Sequence, residues 1–269
     1  MLNAAQLDQF HELGFVVIDG FASELFDPLR KATDRVIKRT RAGTWAARKC
    51  PNGDVWGVSG LLDPKLEEPI FAMYMATPHV IDVSADLLGD RNLRLSLTNL
   101  LCNPQVSDYA IAWHRDSGNP RDSGEKELRH LNQMQYGVQW NGALYEESCL
   151  RVVPKTHRRN LNAAERDVLH NRPMDPMPGE LIVKLRAGET VYYNANLLHR
   201  GVYPCGTRRE TLHANLVSMK SPVPFKLHYE AVKFMEVPGF KNTIPAALHP
   251  LLDNWLLFAK QFQIDEVIA

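Results

Sequence analysis

The chain has 269 residues, with 31 lysine plus arginine balanced by 31 aspartate plus glutamate, so its formal charge is zero. No excess positive field is available to hold a phosphate backbone or an anionic membrane surface, and no apolar run is long enough to cross a bilayer, so nucleic-acid and membrane roles are not expected. With 45% hydrophobic and 23% charged residues the composition is that of a globular chain, and its length suits one domain over 1–269.

The four cysteines (Cys50, Cys102, Cys149 and Cys205) are scattered with no CxxC pair, which argues against a structural zinc knuckle or a disulfide framework. Together with an N-terminus lacking a basic region followed by an apolar stretch, this predicts a soluble, cytoplasmic protein.

Leu2 to Leu13 carries apolar residues at helical spacing, and Phe15-Val16-Val17-Ile18 before Asp19-Gly20 reads as a short strand ending in a turn. A second helix is predicted over about Ser23 to Arg39. Thr40 to Asp63 has no clear period and reads as a long loop, of the kind that covers a functional site. Glu68 to Leu88 is helix-like. From Leu93 the pattern changes to short apolar or alternating runs: Leu93 to Cys102, Ala110 to Trp113, Gln133 to Leu144, Leu150 to Pro154, Leu181 to Leu185, Thr190 to Tyr193 and Thr211 to Met219. Many short strands after N-terminal helices indicate an antiparallel barrel or sandwich. Leu161 to His170 reads as an inserted helix and Leu251 to Phe262 as a closing one.

Three segments could carry chemistry. In Trp113-His114-Arg115-Asp116-Ser117 the His and Asp are two apart at the end of an apolar run, so an extended backbone turns both to one face. With a second histidine they would form the facial triad of non-haem Fe(II) oxygenases. Eighty-five residues on, Thr190-Val-Tyr-Tyr-Asn-Ala-Asn-Leu-Leu-His199-Arg-Gly201 delivers His199 from a strand and turn, and a later strand of a barrel can return it to the same mouth. Ten residues further, Arg208-Arg209-Glu210-Thr211-Leu212-His213 places Arg209, Thr211 and His213 on one strand face. An inward arginine is costly without an anion, and its guanidinium holds a carboxylate in bidentate fashion, with a hydroxyl two residues on available to the same group. Each segment alone also fits a structural role, as a surface histidine, a turn histidine and a solvated arginine pair. The order His-x-Asp, His, Arg-x-Thr is what an iron site with a dicarboxylate cosubstrate needs.

From Leu7 to about Leu216 the chain resembles the phytanoyl-CoA dioxygenase family of Fe(II)- and 2-oxoglutarate-dependent oxygenases. LDQFHELGFVVIDGFASELFDPLRKATDRVI is similar to the family's opening, WHRDSG to its first ligand motif, CLRVVPKTH to its Leu-x-Val-x-Pro-Gly-Ser-His segment and GETVYYNANLLHRG to the segment carrying its second histidine. The resemblance implies a mainly β fold with flanking helices, a double-stranded β-helix or jelly roll of cupin-like form. It implies iron held by His114, Asp116 and His199, and 2-oxoglutarate anchored by Arg209 with Thr211 beside it. Dioxygen is then the oxidant and a small organic molecule, such as a lipid or an intermediate of secondary metabolism, the substrate. Because Asp116 stands where related halogenases have Ala or Gly, hydroxylation or desaturation is favoured over halogenation. A homodimer is expected by analogy alone.

Departures fall on the substrate side. Trp140-Asn141-Gly142 precedes Ala143-Leu144, the loop from Tyr145 to Ser148 is short, and Pro-Lys-Thr-His replaces Pro-Gly-Ser-His. Asn99 and Gln135 are candidate neighbours of 2-oxoglutarate. Gln133, Gln135, Gln139 and Asn141 share one strand face that could equally meet solvent. His157 reads as a turn hydrogen-bonder, His130 and His170 as surface residues, and Trp45, Trp56, Phe71 and Tyr74 as pocket or core. The rival readings are a protein side-chain hydroxylase, a non-catalytic β-helix scaffold, and a cupin-like zinc or manganese site, which would need more histidines and no Arg209.

Overall fold

The computed structural model describes all residues except 1, 21–22, 117, 120, 133–136, 222–231 and 263–269. Two helices frame the first strand: α1 (Ala4–Leu13) opens on a capping box between Asn3 and Gln6, and α2 (Ser23–Arg41) follows β1 (Phe15–Asp19). Helix α1 ends at Gly14, whose φ of 87° lies in the left-handed region that glycine adopts freely. A Cβ there would also stand 2.5 Å from the His157 ring, so the position has no room for a side chain.

The stretch expected to be a loop between Thr40 and Asp63 instead forms a hairpin, β2 (Ala47–Lys49) and β3 (Val55–Val58), joined to the sheet through β4 (Leu93–Cys102). Its strands are too short to show a period, and long-range pairing with β4 decides their conformation. The single helix expected over Glu68 to Leu88 is two, α3 (Ile70–Met75) and α4 (Pro78–Leu88), because Pro78 holds Thr77 extended and opens a new first turn.

Later come β5 (Tyr109–Ala110), α5 (Gly124–Leu131), β6 (Gly137–Ala143), β7 (Leu150–Val153), α6 (Ala163–Asn171), β8 (Leu181–Ile182), β9 (Glu189–Asn194), β10 (Leu198–Tyr203), β11 (Glu210–Ser218) and α7 (His249–Phe262). Strand β10, read from sequence only as a turn bearing His199, is held by antiparallel pairing to β7 on one side and β5 on the other.

The strands make two antiparallel sheets, a larger one ordered β1-β9-β6-β11-β4-β3-β2 and a smaller one ordered β5-β10-β7-β8. This is the expected jelly roll. Both faces of the larger sheet are covered, which explains why β6 is buried at every position despite alternating in polarity. Val138 and Trp140, with Leu212, Ala214 and Leu216 of β11 and Tyr192 of β9, pack outward against the helices in the main core. Gln139, Asn141, His213, Asn215 and Tyr193 turn the other way, into the space between the sheets. On the outer face the Trp140 indole donates to Tyr74 Oη at 2.9 Å and the Tyr192 hydroxyl to the His79 carbonyl at 2.6 Å.

Phe71 and Tyr74 belong to this helix-side core, and Trp45 packs on it while donating to the Ser59 carbonyl at 3.0 Å. Helix α7, read from sequence as a closing helix, packs behind β4 with Trp255 and Phe258 in the same core. None of the four cysteines is in a disulfide, and among the described residues no helix is long and apolar enough to cross a membrane.

Candidate metal and cosubstrate site

His114 and His199 sit opposite each other in an isolated antiparallel bridge, with backbone N–H to O distances of 3.1 and 3.0 Å. That bridge fastens the His-x-Asp segment to β10 and brings together residues 85 positions apart. Each imidazole donates from Nδ1 to the carbonyl two residues before it, His114 to Ala112 and His199 to Leu197, both at 2.8 Å. The Nε2 lone pairs are thereby left facing Asp116, each Nε2 lying 3.5 Å from one of its carboxylate oxygens.

One atom from each of the three residues falls within 4.8 Å of the others. Burial pushes the His199 imidazole down to about 4, so it is neutral near pH 7 and able to donate a lone pair. Burial works to raise the Asp116 carboxyl, but His199, His114 and the Gln139 amide outweigh it and hold the group below the usual carboxylate range. Gln139 Nε2 donates to Asp116 Oδ2, a partner from β6 that the sequence reading left with the undecided amides. Two imidazoles and a carboxylate on one side of an open cavity fit a divalent ion such as Fe(II), with coordination positions to spare.

Arg115, between the two ligands, turns away from the cavity centre. Its Nη1 pairs with Glu127 at 2.6 Å and its Nη2 donates to the Thr156 carbonyl at 2.6 Å; Arg166 pairs with Glu127 as well. The buried Glu127 carboxylate of α5 therefore ties the metal-side segment to the helical flank.

The cavity between the sheets has a volume of about 250 Å³. Arg209 lies in its wall, 2% exposed, with Nε donating to Thr211 Oγ1 at 3.1 Å and its guanidinium 4.6 Å from the centre of the Tyr203 ring. Its Nη1 is buried without a hydrogen-bond partner, an unfilled donor of the kind a ligand carboxylate would satisfy. A partner the sequence did not announce is also present: Glu147 Oε2 lies 2.6 Å from Arg209 Nε, both side chains 2% exposed. Burial opposes the arginine's charge, and Glu147, together with Cys149 and Tyr203, more than offsets it.

Trp56, Leu97, Ile111, Leu150 and Tyr203 supply most of the apolar lining. Tyr203 has a fixed seat, since a Cβ on Gly201 would fall 2.1 Å from its hydroxyl. Asn99 is buried on β4 opposite His213 and is oriented, once both ends of its amide are satisfied, to accept from Arg48 Nη1 at 3.1 Å. Gln135 lies outside the described residues. His157 bonds the His11 carbonyl at 3.1 Å, in keeping with a turn role. His130 and His170, expected on the surface, border a second hollow next to His114.

A family model described as phytanoyl-CoA dioxygenase (PhyH) matches residues 10–202. The chain belongs to the phytanoyl-CoA dioxygenase family. Members are Fe(II)- and 2-oxoglutarate-dependent oxygenases, and this chain is an enzyme of that class. Solved structures of the same fold include EctD from S. alaskensis with 2-oxoglutarate and 5-hydroxyectoine, at 18% identity and a TM-score of 0.64, covering 83% of this chain and 78% of that one. The epimerase SnoN, in complex with Fe3+, alpha ketoglutarate and nogalamycin RO, aligns at 16% identity and a TM-score of 0.60, over 87% of this chain and 90% of its own. AviO1 from Streptomyces viridochromogenes Tue57 aligns at 17% identity and a TM-score of 0.60, over 83% of this chain and 98% of its own. No curated protein matches significantly.

Proposed function

We propose that this phytanoyl-CoA dioxygenase family member oxidises a C–H bond of a small or medium organic molecule at Fe(II) held by His114, Asp116 and His199, with 2-oxoglutarate as cosubstrate. The convergence of those three side chains, their Nε2 and carboxylate atoms turned to one point within 4.8 Å, is the observation that carries the reading. Bound there, iron and 2-oxoglutarate supply the oxidising power, the cosubstrate leaving as succinate and CO2 as dioxygen is consumed.

The chain's own contribution is placement. The Ala112 and Leu197 carbonyls fix which imidazole nitrogen faces the ion, and Gln139 orients Asp116. Arg209, through its unfilled Nη1 and with Thr211 beside it, receives the far carboxylate of the cosubstrate. Trp56, Tyr203 and the aliphatic lining exclude water and confine the substrate. Neighbours such as SnoN, whose ligand is nogalamycin RO, keep natural-product intermediates among the candidates. Retention of Asp116 favours hydroxylation, desaturation or rearrangement over halogenation.

The test is anaerobic titration of the metal-free protein with Fe(II) and then 2-oxoglutarate, following the visible charge-transfer band of the chelated cosubstrate in wild type and His114→Ala. A band in wild type that His114→Ala abolishes supports the reading. Iron bound in wild type without any band overturns it.

A further inference from the structure

The carboxylate end of the pocket already holds a carboxylate. The backbone of Glu147 is fastened to Leu185 by a bridge with N–H to O distances of 3.0 and 2.9 Å, and its side chain meets Arg209. Oε2 lies 2.6 Å from Arg209 Nε, yet that nitrogen donates to Thr211 Oγ1, and neither oxygen of Glu147 accepts a hydrogen bond among the described residues. A buried carboxylate without hydrogen-bond donors depends on a neighbouring cation to offset its lost hydration, and here the cation is one guanidinium.

The other charged groups of the cavity are placed elsewhere. Arg115 is engaged by Glu127. Arg48 lies over Gly57, where a Cβ would stand 3.1 Å from its Cδ, and donates to Asn99 at 3.1 Å; among the described residues it makes no ion pair with Glu147. The titratable groups that face the pair carry no charge near pH 7. Burial pushes the Cys149 thiol up to about 11 and the Tyr203 hydroxyl up to about 12, raises the Tyr193 hydroxyl well above 10, and with Arg48 pushes His213 down to about 3.

The far carboxylate of 2-oxoglutarate, received at the unfilled Nη1 of Arg209, brings a second anion to the cation that Glu147 already uses. Two carboxylates on one buried guanidinium leave a negative charge uncompensated, and neighbouring carboxylates in such a site share a proton. The ligand gains the Nη1 donor while Glu147 has none, so the proton belongs on Glu147.

We propose that Glu147 is a proton-linked positioning residue: 2-oxoglutarate binds at Arg209 together with one proton, taken from solvent onto a Glu147 oxygen, so that this end of the pocket keeps the same net charge before and after binding. The inference rests on the cosubstrate reading above. A ligand that binds with a proton binds more tightly as pH falls, its dissociation constant changing by up to about tenfold per pH unit.

The test compares 2-oxoglutarate with 2-oxobutyrate, which keeps the 2-oxo carboxylate and lacks the far one. Anaerobic dissociation constants for both are measured between pH 6 and 8, from the charge-transfer band of the iron-saturated protein, in wild type and Glu147→Gln, with melting temperature as control. In wild type the constant for 2-oxoglutarate should rise by about tenfold per pH unit and that for 2-oxobutyrate should stay level. In Glu147→Gln both should stay level, with 2-oxoglutarate at least about tenfold tighter than wild type at pH 8. A level 2-oxoglutarate constant in wild type overturns the proposal. A slope shared with 2-oxobutyrate overturns it by placing the proton at the metal end, and a slope that persists in Glu147→Gln by placing it on another group such as His213. Calorimetry of wild type in two buffers of different ionisation heat keeps the proposal falsifiable if the variant does not fold: no extra proton taken up with 2-oxoglutarate relative to 2-oxobutyrate overturns it. Absence of the band in wild type is a different failure, that of the cosubstrate reading itself.

Discussion

The two ends of the cavity are built by different means. At the metal end the two histidines are oriented by local bonds and one bridge, each bonding the carbonyl two residues before it while the His114–His199 pairing joins the segments, and Gln139 of β6 is the remote brace on Asp116. At the carboxylate end Arg209 on the approach to β11, Glu147 before β7 and Arg48 on the edge hairpin come from three remote parts of the chain. A site specified by short-range bonds is visible as a motif, whereas a charge balance assembled across sheets is visible only when the sheets are in place.

The largest effect that would break this contrast is at Arg209. Arg209→Gln leaves Glu147 buried without its cation and is expected to cost about 3–5 kcal/mol of stability and to abolish 2-oxoglutarate binding. The double variant Arg209→Gln/Glu147→Gln should recover most of the stability without recovering binding. Chemical denaturation and the cosubstrate titration read the two effects separately, and recovery of binding in the double variant would contradict the role given to Arg209.

At the metal end the expected loss is smaller and leaves the fold intact. Gln139→Leu removes the amide that holds Asp116 and should weaken Fe(II) binding by roughly 10–100-fold, measured by competition with a chromophoric chelator. If metal affinity is unaffected, the orientation of Asp116 is set elsewhere.

The smallest effect concerns His213, whose Nδ1 pairs with Asn141 Oδ1 at 2.9 Å between the two ends. Burial, with help from Arg48, pushes it down to about 3, from an ordinary value near 6.5. A histidine depressed in the folded state contributes stability that is fully present above its unfolded pKa and is lost as pH falls from about 6.5 toward 3. His213→Gln should therefore show a smaller drop in melting temperature between pH 7 and 4.5 than wild type. An equal drop would assign the acid sensitivity to other groups.

Much of the fold could be read in advance because the relevant pattern was long or capped. Strands β4 and β11 run 10 and 9 residues, and helix α6 opens on the Asn162/Glu165 capping box. The hairpin of β2 and β3 was missed since strands of 3 and 4 residues carry no period. Strand β10 was missed because Asn194 to Leu197 reads as a turn and the pairing that extends His199 to Tyr203 comes from β5 and β7. Gln139 and Asn141 were ambiguous for another reason: β6 has its apolar face toward the helices, so amides that look solvent-facing in sequence line the cavity.

The sequence alone determined the candidate donor set, His114, Asp116 and His199, and the Arg209-x-Thr211 pair, because residue type and two-residue spacing fix what an extended backbone presents on one face. Tertiary structure alone decided that Glu147 meets Arg209, that Gln139 braces Asp116, and that Arg48 enters the cavity over Gly57. These are contacts between strands distant in the chain, and their sign and strength depend on burial and on which charges end up facing one another, quantities that exist only after the sheets close.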